Sequence, residues 1–111
     1  MLWSKLLARI RDARWLGQNL RPLTLDLSEQ VRASLSFRVL SMSRAEARGY
    51  IRAKATPIVR RALGSVAAEH PALATELVTR VAGELTDRVA RQVLDDVVRG
   101  RVLIHGIRRA A

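Results

Sequence analysis

Arg44, Arg48 and Arg52 stand four residues apart. On an α-helix that spacing sets three guanidiniums on one ridge, about 6 Å apart along the axis. A guanidinium is a planar fork that grips phosphate through two hydrogen bonds, and each phosphate so neutralised releases counterions. Lys54, Arg60 and Arg61 extend the charge, with Tyr50 close in sequence. Taken alone, such a ridge is the solvated face of a helix, here with Glu46 as partial counter-charge. Its weight comes from the charge around it. Residues 1–61 hold thirteen Arg or Lys against four Asp or Glu, a net +9. Residues 62–111 hold seven against six, a net +1, and the two halves make up the +10 of the chain. A half this basic points to a polyanion. Nucleic acid is the first expectation; an anionic membrane surface or an acidic protein partner are the alternatives.

Catalytic chemistry has little to build on. His70 precedes Pro71 at a helix start, where capping or plain exposure is the ordinary role, and His105 lies in the tail. Asp95 and Asp96 are adjacent, so on a helix they diverge by about 100° and do not form an acid–base pair on one face. There is no glycine-rich phosphate loop, no nucleophile elbow and no metal-ligand spacing. The absence of cysteine excludes disulfides and thiol chemistry. The sequence is therefore expected to have no catalytic residue, no metal and no cofactor. Its apolar runs never exceed three residues, so neither a transmembrane helix nor a secretory signal is expected.

The elements that would position the arginines read as follows. Residues 1–21 form a basic amphipathic helix, with Leu2, Leu6, Ile10 and Ala13 in one stripe widened by Trp3 and Leu7. Gly17, Asn19 and the Arg21-Pro22 pair close it. Its apolar stripe has two destinations. It packs on the rest of the chain, which holds only two of the four aromatic residues, or it lies among lipid headgroups. Trp15 falls on the polar side of the wheel, which counts against the second. A transit peptide ranks third, given Asp12 and a single serine, Ser4, in the first 20 residues.

Residues 23–42 support two readings. Alternation in "LTLDL" and "SLSFRVL" favours a short β-hairpin at 23–40, while Val31, Leu35, Val39 and Met42 would be the stripe of a helix from Ser28. "SRAE" at 43–46 is a capping box, so a helix begins there. Thr56-Pro57 and His70-Pro71 place breaks near 57 and 71 in a helical core spanning 43–99, so that 44–69 is either one kinked helix or two short ones. From 72 to 99, the stripe Val78, Val81, Leu85, Val89, Val93 and Val97 runs opposite charge pairs at four-residue spacing, and Gly100 ends it. Such a helix would be about 42 Å long, which favours a helical hairpin or a homo-oligomer joined along that stripe. Residues 100–111 are the tail.

The expected fold is a single, mainly α domain with a long C-terminal amphipathic helix. The expected function is a non-enzymatic, oligomeric, nucleic-acid-binding protein of nucleoid type with low sequence specificity. The contact residues would be Arg44, Arg48, Arg52, Lys54, Arg60 and Arg61. The competing expectations are a membrane-surface or assembly adaptor held by residues 2–16, and a small subunit of a larger complex.

Overall fold

The computed structural model describes the backbone of residues 2–110 and the side chains of residues 2–100. Three helices make it up: α1 (Leu2–Ser34), α2 (Arg44–Glu69) and α3 (Thr75–Ala110), with a 3₁₀ segment, Phe37–Ser41, between the first two. Each helix packs on the other two. The fold is mainly α, as the periodicity predicts, and no strand occurs among the described residues.

The helices bury one stripe each. From α1 come Leu16, Leu27 and Val31, with Leu20 and Leu23 partly buried. From α2 come Ala47, Ile51, Ala55, Val59, Leu63 and Val66. From α3 come Val81, Leu85, Val89, Val93 and Val97, flanked by Ala90 and Leu94. Most of these positions recur every three or four residues, the spacing that keeps a stripe on one side of a helix. The α3 stripe is therefore filled by the chain's own α1 and α2. The residues expected to join copies are covered within one chain: Val81, Leu85, Val89, Val93 and Val97 are buried, and Val78 is half-buried.

Three expectations are corrected. The hairpin at 23–40 is absent. Leu20, Leu23, Leu27 and Val31 share the helical stripe, and packing that stripe outweighs the local alternation; Leu25, which the alternation needs, is left exposed. The stripe Val31, Leu35, Val39 and Met42 does face the core, but it passes from α-helix into the 3₁₀ segment at Ser36. Helix α1 also runs through Pro22 instead of ending there, while α2 runs through Pro57 as one helix, the first of the two readings of 44–69. Proline deprives the carbonyl four residues earlier of its partner. Here those carbonyls belong to Gln18 and Ala53, both exposed residues, so the group left without a helical partner is not sealed in the core. Thr56, which reads as a cap, instead donates its hydroxyl to the Arg52 carbonyl at 2.9 Å. Finally, α3 continues past Gly100 to Ala110. The break near 71 is present, at 70–74.

The capping box forms as expected. Ser43 Oγ accepts from the Glu46 amide at 3.1 Å, and Glu46 Oε1 accepts from the Ser43 amide at 3.4 Å. Ser43→Ala is expected to lower stability by about 1 kcal/mol, read as a fall in thermal midpoint by circular dichroism.

The molecule is a rod, 69 × 21 × 18 Å. Its radius of gyration is 17.6 Å, against ~13 Å for a compact domain of this length. Part of the excess is the first three turns of α1, which reach past the end of α2.

Candidate functional site

The level at which α1 leaves the bundle is set by a polar clasp. Asp12 is buried on α1, and its Oδ1 lies 3.3 Å from His70 Nδ1 and 3.5 Å from Arg11 Nε. His70 ends α2, donating its amide to the Val66 carbonyl, and its ring stacks on Trp15 with centroids 4.1 Å apart. His70 is thus neither a simple cap nor exposed. It joins the end of α2 to the third and fourth turns of α1. His105 lies outside the described side chains. His70→Ala leaves a buried carboxylate short of a partner, a loss expected to cost about 1–3 kcal/mol in denaturant unfolding. Arg11→Ala, which removes an exposed partner of the same carboxylate, should cost less than about 1 kcal/mol.

The clasp fixes which way the start of α1 faces. Ala8, Asp12, Trp15, Leu16 and Asn19 are buried or half-buried, so they mark the side turned towards the bundle. Ser4, Lys5, Ala8 and Arg9 border the loop after α2 and the start of α3 on that side. Leu2, Trp3, Leu6, Leu7 and Ile10 are all exposed, Leu2 at 88% and Trp3 at 72%. At 100° per residue these five centre on the opposite side of the helix from Ala8, Asp12 and Trp15. The apolar stripe of this segment therefore points away from the protein. Packing on its own core, one of the two destinations open to it, is not what it does. Trp15 falls on the polar side of the wheel because that is the side that packs. Arg9 borders the apolar face on one edge and Arg11 on the other, with Arg14 one turn further along.

The six cations expected to form one contact surface divide among flanks. Arg44, Arg48 and Arg52 line a groove between α2 and α3, together with Asp87, Ala90, Arg91, Leu94 and Asp95 of α3. Arg52 is committed there to an ion pair with Asp87. Arg60 continues the same four-residue series and is exposed. Lys54 lies on the other flank of α2, its Nζ 5.7 Å from the centre of the Tyr50 ring, whose hydroxyl accepts from the Ser36 amide. Arg61 is exposed on the outer face. The structure thus brings together Arg44, Arg48 and Arg52, and separates Lys54 and Arg61 from them. It adds Arg91, which reads in the sequence as half of an Asp87–Arg91–Asp95 series along α3. The signal for it lies in pairing α2 with α3 antiparallel, which no single-helix pattern supplies.

No protein-family model matches the chain, and no similar protein is found among curated proteins or solved structures. Among the described residues, no group of three or more metal-ligating side chains is present. Among the described residues, no helix is long and apolar enough to cross a membrane.

Proposed function

We propose that the protein is a peripheral membrane-surface adaptor, held on anionic lipid by the first three turns of α1. One observation carries this: the apolar face of those turns is exposed and turned away from the side on which α1 packs. A folded chain seldom leaves five large apolar side chains contiguous in water, and such patches mark interaction sites. Lys5, Arg9, Arg11 and Arg14 accompany the patch, and Asp12, the one acid among them, is buried against His70. The surface offered outward is apolar with basic edges, the chemistry of a helix lying among anionic headgroups. Trp3 sits in the patch, as suits an interfacial aromatic.

The nucleic-acid expectation has less support. Its six residues fall on different flanks of α2, Arg52 is paired with Asp87, and Asp95 stands in the same groove.

The test is flotation of the full chain with vesicles of phosphatidylcholine, with and without phosphatidylglycerol. Binding that requires the anionic lipid and shifts Trp3 emission to the blue supports the proposal. Equal flotation with both vesicles, or with neither, overturns it.

A further inference from the structure

The α2–α3 groove presents a charge that the protein does not neutralise. Its polar walls are Arg44, Arg48 and Arg52 of α2 with Asp87, Arg91 and Asp95 of α3, and its floor carries Ala90 and Leu94. Arg52 and Asp87 cancel each other in an ion pair. Arg44, Arg48 and Arg91 make no ion pair among the described residues, and the remaining carboxylate in the groove lining is Asp95. Three guanidiniums against one carboxylate leave two positive charges in a groove of about 410 Å³. Arg44 is also the first residue of α2, where the helix dipole favours negative charge.

We infer that this groove binds a phosphate monoester. Such a group carries about −1.5 to −2 charge at neutral pH, which matches the surplus, whereas a diester carries one charge per phosphate. Guanidiniums arriving from two helices can grip its oxygens from two sides, each through paired N–H donors. The volume falls within the range of small-molecule sites, about 300–1,000 Å³. Ala90 and Leu94, buried at the groove floor, lie beneath the bound group. The groove is lined by α2 and α3 alone. The inference therefore does not rest on the membrane reading, and either one can fail without the other.

The experiment is an NMR titration of the full chain at low salt with phenyl phosphate, read at the Ala90 and Leu94 amides. Saturable shifts are expected. Arg48→Ala and Arg91→Ala should each weaken binding by about tenfold or more, as loss of a charge-assisted contact does. Asp95→Asn should tighten it by about threefold or more, since it removes the opposing charge. Arg61→Ala removes the same charge as Arg48→Ala from the outer face and should change affinity by less than about twofold. Opposite signs for Arg48→Ala and Asp95→Asn cannot arise from a loss of folding. The inference is overturned by the absence of saturable shifts, by an equal loss in Arg61→Ala, or by a thymidine oligonucleotide that fills the groove more tightly than phenyl phosphate. Once phenyl phosphate binds, vesicles containing phosphatidate separate two sources of the monoester. The chain carrying Leu6→Glu and Ile10→Glu is used, so that α1 no longer contributes. Capture that Arg48→Ala removes identifies a lipid headgroup, and absence of capture identifies a soluble molecule.

Discussion

Exchanging Leu6 and Ile10 together for glutamate is expected to weaken binding to phosphatidylglycerol vesicles by about a thousandfold. The two side chains are 49% and 50% exposed in the free protein, so about half of each remains to be buried at a membrane. Full burial of a Leu or Ile side chain is worth roughly 1.5–3 kcal/mol, so half is worth about 1 kcal/mol each. Each new carboxylate also sits at an anionic surface, where a unit charge counts for about 1 kcal/mol. The total is about 4 kcal/mol, and every 1.4 kcal/mol is tenfold. Folding should be nearly untouched, within about 0.5 kcal/mol, because neither side chain lies on the packed side of α1. Flotation and thermal unfolding of the same samples check the two halves. A variant that still floats as the wild type does would place the membrane contact elsewhere. One that loses several kcal/mol of stability would show that the stripe is part of the core after all.

What the sequence discloses depends on whether a feature is local. The capping box at Ser43 and the Val/Leu stripe of α3 are each complete within one element, and both are found where the spacing predicts them. The continuation of α1 is not local. Pro22 and the alternation of Leu23, Leu25 and Leu27 argue for a break and a strand. What overrides them is the stripe shared by Leu16, Leu20, Leu23, Leu27 and Val31, which gains only when α2 and α3 are there to receive it. The same holds for the start of α1. A helical wheel gives the angle between Leu6 and Asp12 but not which of them faces the bundle. The apolar side is the natural choice for packing, and it is the wrong one here. The packed side is instead selected by Asp12 and Trp15 meeting His70, a contact 58 residues apart in sequence. The groove completed by Arg91 has the same origin. Arg44, Arg48 and Arg52 are legible as a ridge, while their partner across the groove is defined only by how two helices lie together.

Leu85→Ala is expected to cost about 2–5 kcal/mol in urea unfolding, the range for deleting a fully buried leucine. Leu85 is completely buried, in a core of Val, Leu, Ile and Ala to which no fully buried aromatic contributes. Domains of this size are stable by only about 5–15 kcal/mol, so the loss is a large share of the whole. Rods pack few residues in any cross-section, so α1 and α2 have little freedom to close over the gap left by the shortened side chain. The dependence on concentration carries the stronger argument. Were the Val81–Leu85–Val89–Val93 stripe a seam between copies, folding and association would be one equilibrium, and the unfolding midpoint would rise with protein concentration. With the stripe filled from within the chain, the midpoints of the wild type and of Leu85→Ala should differ by the same amount at any concentration, and neither should move on dilution. A midpoint that falls on dilution would mean that folding is coupled to association, and its persistence in the Leu6→Glu, Ile10→Glu chain would place the contact away from the exposed face of α1.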